Sequence, residues 1–223
     1  MAAARKSLIL MALALIAAGS ATGTAHAGAQ KYLNPQFAEL TKGHKTIAIL
    51  PFKVTIDKGK LPKNVTLEMV AVSEKEEATE FQKQLYARFL QRAQDGEYTV
   101  GFQDVDQTNA LLARAGVSTD SLYMHTKDEI AKALGVDALV SGTVHQAQPT
   151  STGVAMAQTF LLGFSGHTQR VDINMTVHNG TDGTLLWSYD HTDKGGLMDS
   201  VEGMTKSLLK KVAGNFPYRT NKS

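Results

Sequence analysis

Along residues 46–56 the sequence TIAILPFKVTI alternates, with Ala48, Leu50, Phe52, Val54 and Ile56 on one face and Ile47 and Ile49 on the other. A period of two predicts a strand, and apolar residues on both faces of its first half predict burial from both sides. The basic stretch 57–63 reads as a turn or loop, and 65–72 as a second short strand. Ser73 with Glu76 three residues on reads as a capping box. Ala78, Phe81, Leu85, Phe89 and Ala93 then recur at helical spacing and predict the longest helix, closing near Gly96. Glu74, Glu76, Glu77 and Glu80 fall in its expected first turns, where acids suit the positive end of the helix dipole.

The pattern next predicts a strand over 97–103 and a helix over 106–115, with Leu111, Leu112 and Ala115 inward and Gly116 closing it. Thr126 and Glu129 form a second capping box, opening a helix that carries Ile130, Ala131 and Leu134 and stops at Gly135. The strand 136–144 follows at once. Beyond a polar stretch, Val171, Ile173, Met175 and Val177 alternate with Asp172, Asn174, Thr176 and His178, as in a strand covered on one face only. Asn179-Gly-Thr-Asp-Gly then turns the chain, and Leu185, Trp187 and Tyr189 complete a hairpin in which Val177 would face Leu185. A last helix over 199–212 shows Val201, Met204, Leu208 and Val212. Strands alternating with helices predict an α/β fold: a single mixed β-sheet of about five to six strands with about four helices packed on it.

Composition adds compartment to this picture. Arg5-Lys6, the apolar run 8–18 and the small residues ending at Ala27 have the order of a secretory signal peptide, cut after Ala27. The division expected is a signal over 1–27, an amino-terminal segment over 28–45, one α/β domain over 46–218 and a polar tail over 219–223. The first 27 residues hold two of the 23 basic residues and none of the 21 acidic ones, so the remainder carries 21 of each. A neutral mature chain without a basic run lacks the footprint of a nucleic-acid binder, although the sequence pI is about 8.7. The chain has no cysteine, which excludes disulfides, a thiol nucleophile and the lipid acceptor of an envelope lipoprotein. The expectation is an exported protein, periplasmic or extracellular, with no span after cleavage and with peripheral membrane contact left open.

Two segments carry a resemblance. Ile47-Ala-Ile-Leu-Pro-Phe52, and Ile130-Ala-Lys-Ala-Leu-Gly-Val-Asp-Ala-Leu-Val-Ser-Gly-Thr-Val144, pair an opening strand ending in Pro-Phe with a helix–Gly–Val-Asp-Ala strand. This pair resembles a bacterial envelope group that includes the curli-secretion channel lipoprotein, the lipoprotein activators of penicillin-binding proteins and the amino-terminal domain of TolB. Their shared domain resembles an anticodon-binding α/β fold. What the resemblance implies is partner binding in envelope assembly or secretion, without catalysis or cofactor. Pore formation is not carried over, because the long membrane-crossing hairpins of the curli channel have no counterpart here.

Several constellations remain as candidates. The apolar insert 153–164 offers Met156, Phe160, Leu161, Leu162 and Phe164 as contacts with an envelope protein or a second copy, the alternative being that it folds against the sheet. In the proposed hairpin Asp172 lies opposite Asp190, flanked by Asn174 and Arg170. Such a pair suits acid–base chemistry or a divalent ion, and equally a solvated face. His44, His125, His145, His178 and His191 form no zinc motif. Ser165 and His167 miss the nucleophile-elbow pattern by one position, and no phosphate-binding glycine loop is present. Lys53, Lys58, Lys60 and Lys63 could attract an anionic polymer or simply face solvent. The reading is a non-catalytic exported binding protein; its rivals are a hydrolase on the Asp172 and Asp190 face, and a small-ligand carrier with a closed apolar cavity under Val171 to Val177.

Overall fold

The structure, a computed structural model, describes residues 29–57, 61, 64–147, 170–194 and 201–220. Its elements run β1 (Gln30–Leu33), α1 (Phe37–Leu40), β2 (Thr46–Ile49), β3 (Lys53–Ile56), α2 (Leu67–Gln94), β4 (Gly101–Phe102) and α3 (Val105–Arg114). A 3-10 turn (Thr119–Met124) leads to α4 (Lys127–Leu134), β5 (Ala138–Ala147), β6 (Arg170–Asn179), β7 (Leu185–Asp193) and α5 (Val201–Asn215). The seven strands among the described residues form one mixed sheet in the order β1-β7-β6-β5-β2-β4, with β3 continuing along β5 beyond β2. The pairs β1/β7, β7/β6 and β6/β5 are antiparallel, and β5 pairs in parallel with β2 and β3. This is the expected α/β sheet with four substantial helices, and β1 adds a strand within the segment read as preceding the domain.

The apolar alternation over 46–56 is built differently from its sequence reading. Ile47, Ile49, Phe52 and Val54 all join the core beneath α2 and α5, with Phe81, Leu85, Phe89, Leu208 and Phe216. Ala48 and Leu50 face the other way, against Leu112, Ile130, Ala131, Leu134 and Leu139 of α3, α4 and β5. Between Ile49, opposite Val140, and Lys53, opposite Thr143, the β2–β3 side holds one residue more than β5. One extra residue inverts the faces of a strand, and Pro51 sits at that break. The Ile49 carbonyl at the break accepts a 2.7 Å hydrogen bond from Nε2 of Gln82, a fully buried side chain that also pairs with Asn109. Gly142 is needed beside it, since a Cβ there would lie 2.2 Å from the Asn174 carbonyl and 2.6 Å from the Phe52 ring.

Helix α2 begins earlier than the sequence suggests, and the strand expected over 65–72 is its first turn and a half. Thr66 is the N-cap, its side chain accepting from the Met69 N–H at 3.2 Å, while Ser73 is buried inside the helix. The apolar residues of 65–72 mislead because Leu67 and Val72 point to solvent, at 61% and 52% exposure, while Val70 faces inward with Val65 packed beside it. Glu74 and Glu77 therefore lie far from the dipole's positive end. Glu74 accepts from the Ile56 N–H at 2.9 Å and Glu77 from the Gln146 amide at 2.6 Å, pinning the helix to the ends of β3 and β5.

Other boundaries shift modestly. Asp104 caps α3, accepting from the Gln107 N–H, and Ala115 is exposed rather than inward. Thr126 and Glu129 do form the capping box, and Gly135 ends α4 at φ 66°. Asp137, one residue before β5, accepts from the N–H groups of Lys45 and Thr46 at 2.8 and 2.9 Å and so ties the start of β2 to β5. Burial opposes its charge, but those two N–H groups and the His44 and Lys45 charges outweigh burial and hold its carboxyl below the usual range.

Candidate functional site

The two faces of the sheet differ in chemistry. On the α2 and α5 side, Val171, Ile173, Met175 and Val177 of β6 are buried in the main core with Trp187 and Tyr189 of β7, which leaves the strand row itself packed against helices. On the other side α3 and α4 cover Ala48, Leu50 and Leu139, and beyond Leu139 the sheet turns polar. Ser141, Thr143 and His145 of β5, Asp172, Asn174 and Thr176 of β6, and Ser188, Asp190 and Thr192 of β7 share that face by register.

The register corrects one expectation. Val177 pairs with Trp187 rather than Leu185, and a bulge between Val177 and His178 lets His178 pair with Leu185. The hairpin therefore shifts by two residues: Asp172 lies opposite Thr192 and Asp190 opposite Asn174. The two carboxylates are diagonal neighbours, each with its own partners. Arg170 Nε and the Thr192 hydroxyl donate to Asp172 at 2.9 and 2.5 Å, and the Asn174 amide donates to Asp190 at 2.7 Å. The turn, which sets His178 opposite Leu185, accounts for one residue of the shift and the bulge for the other, and a period-two pattern announces neither.

Where α4 and the 3-10 turn meet the polar face, an open cleft of about 300 Å³ forms. Lys53, from the start of β3, and Lys127, the first residue of α4, line it together with His178. Ser141, Thr143, Asn174 and Thr176 line its floor, and Leu122 and Tyr123 of the 3-10 turn line its rim. Ser141 and Thr176 pair through their hydroxyls at 3.0 Å. His178 Nδ1 donates to the Gly183 carbonyl at 3.1 Å, which fixes the ring and leaves Nε2 without that proton. Burial, and after it the neighbouring Lys127 charge, outweigh that hydrogen bond and lower the His178 pKa; burial also lowers that of Lys127. No carboxylate lines the cleft among the described residues. Tyr123 and Met124 stand exposed beside it, at 80% and 70%.

The remaining candidates are dispersed. His44 meets the Tyr218 hydroxyl at 2.7 Å, His145 the Thr55 hydroxyl at 3.1 Å, His125 stands 3.9 Å from Glu129, and His191 stacks on Tyr189. Among the described residues no three His, Cys, Asp or Glu side chains gather to hold a metal ion. No helix among the described residues is long and apolar enough to cross a membrane. Met156, Phe160, Leu161, Leu162 and Phe164, the pair Ser165 and His167, Lys58, Lys60 and Lys63, and the segment 1–27 lie outside the described residues. Sequence reasoning missed the cleft because its parts come from five separated elements. The 3-10 turn has no apolar period, and Lys127 reads as one ordinary position of a capped helix.

No family model matches the chain, and no curated protein matches it significantly. Among solved structures, it is similar to lipoprotein GNA1162 from Neisseria meningitidis, with 15% identity, a TM-score of 0.42, and coverage of 76% of this chain and 94% of that one. It is also similar to the PelC dodecamer from Paraburkholderia phytofirmans, with 14% identity, a TM-score of 0.42, and coverage of 83% and 95%. The LpoB C-terminal domain from Salmonella enterica follows with 14% identity, a TM-score of 0.38, and coverage of 72% and 94%.

Proposed function

We propose that this chain is an exported, non-catalytic binding protein of the bacterial cell envelope, which contacts a protein partner or a second copy of itself through the apolar segment 153–164. The observation that carries the reading is the pairing of β5 with β6 to its last residues, Ala147 opposite Arg170. Neighbouring antiparallel strands need only about two to five residues to connect them, and connections beyond about 15 residues are usually functional or disordered. Here the connection is 148–169, and it carries Met156, Phe160, Leu161, Leu162 and Phe164. Apolar side chains in a long connection are the composition of a contact surface. What supports the absence of catalysis is that Asp172 and Asp190 are each engaged by neighbouring donors and that the chain has no cysteine.

The test uses the full chain, exported and purified, as wild type and as the double variant Phe160→Ser, Leu162→Ser. Light scattering on the size-exclusion eluate reads mass, and urea unfolding reads stability. The reading expects the variant to keep its unfolding midpoint and to lose any assembly the wild type shows. If the segment is core instead, removing two large apolar side chains costs about 4 kcal/mol or more and the midpoint falls accordingly.

A further inference from the structure

The cleft between the 3-10 turn, α4 and the polar sheet face contains a charge that the fold itself does not satisfy. Lys127 is half-buried, yet among the described residues no carboxylate lies within ion-pair distance of its ammonium. It occupies the first position of α4, where the helix dipole disfavours a cation. The acids of the neighbouring elements do not pair with it: Asp120 pairs with Lys75 at 3.0 Å, Glu129 accepts from the Thr126 N–H, Asp190 accepts from the Asn174 amide, and Asp128, the next residue of α4, lies by Gly183 outside ion-pair distance. A partly desolvated cation without a partner is unfavourable, and an anion entering the cleft would relieve it. Lys53 lines the same space and adds to its positive potential.

The rest of the lining narrows the ligand. Thr143 offers a hydroxyl to a ligand hydroxyl and Asn174, whose amide N–H is held by Asp190, offers its Oδ1, on a floor fixed by the β5–β6 register, while the Thr176 hydroxyl is engaged with Ser141. Leu122 and the exposed Tyr123 ring supply an apolar wall against which a saturated ring can lie. A volume of about 300 Å³ is at the small end of ligand sites, the size of a monosaccharide rather than a chain. We propose that this cleft binds a monosaccharide-sized anion, a sugar carrying a carboxylate or a phosphate, with Lys127 holding its charge and the β5–β6 floor its hydroxyls.

Calorimetric titration of the exported full chain with glucuronate, glucose 6-phosphate, glucose and inorganic phosphate tests this. At least one charged sugar binds, and glucose binds at least about tenfold more weakly, as expected for loss of a charge-assisted hydrogen bond. The stronger of the two charged sugars tells carboxylate from phosphate. Lys127→Met removes the preference for the charged sugar, Lys127→Arg retains it, and Lys132→Met on the exposed side of α4 leaves it unchanged. Lys53→Met, at an exposed side chain, weakens the same binding, so the test survives a folding defect in Lys127→Met. The proposal is overturned if neither charged sugar binds, if a folded Lys127→Met binds like wild type, or if inorganic phosphate binds as well as glucose 6-phosphate.

Discussion

At the scale of single residues, the Glu77 carboxylate shows how position along a helix decides the role of a side chain. In the sequence it is one of four acids crowding an expected helix start. In the fold it faces the end of β5, and Gln146 Nε2 donates to it while Gln146 Oε1 has no partner among the described residues. Burial, with the nearby Glu74 charge, pushes the Glu77 carboxyl up to about 7 against the hydrogen bond that favours its charge. A raised folded-state pKa means stability that is fully present below the unfolded value of 4.5 and is lost as pH rises through about 7. Glu77→Gln should remove that loss and let its amide donate to Gln146 Oε1. The variant is expected to exceed wild type by about 2 kcal/mol at pH 8 and to match it near pH 4, read by urea unfolding at both values. A constant difference across that range would show that Glu77 does not titrate there. His44, His178 and His191, all lowered by burial, act with the opposite sign, since their contribution is present above 6.5 and lost as pH falls, and they cancel in the comparison of the two proteins.

At the scale of elements, legibility followed local chemistry. The α4 start at Thr126 and Glu129 and its stop at Gly135 were readable because cap and left-handed glycine are written within ten residues. The α2 start was not, because Ser73-x-x-Glu76 satisfies the same sequence pattern while tertiary packing of Val70 on Ile56 accompanies a helix start about two turns earlier. Thr66→Ala should therefore cost about 1 kcal/mol of unfolding free energy and Ser73→Ala clearly less, as measured in denaturant. The reverse ranking would return the helix start to Ser73. The same logic explains the β2–β3 inversion and the hairpin shift. The inversion turns on one extra residue at Pro51, and the two-residue hairpin shift on one residue at the turn and one at the Val177/His178 bulge, none of which changes a hydrophobic count. Strand β1 escaped because all four of its residues are exposed at the sheet edge and carry no alternation.

At the scale of the whole molecule, one side of the sheet is closed by α2 and α5, and the other changes midway from an apolar surface under α3 and α4 to a polar one with a basic cleft at the boundary. The fold class was legible from the alternation of strands and helices. The cleft was not, because β3, the 3-10 turn, α4, β5 and β6 meet only once the sheet order is known. The binding reading rests on the connection between β5 and β6, whose ends are fixed side by side at Ala147 and Arg170. The most direct measurement is photo-crosslinking in the exporting cell, with a crosslinking residue in place of Phe160 and, as control, in place of the exposed Lys132 on α4. The account predicts a discrete adduct from position 160, of two copies or of this chain with one envelope protein, and none from position 132. A folded, exported protein that gives no adduct from position 160 would contradict it.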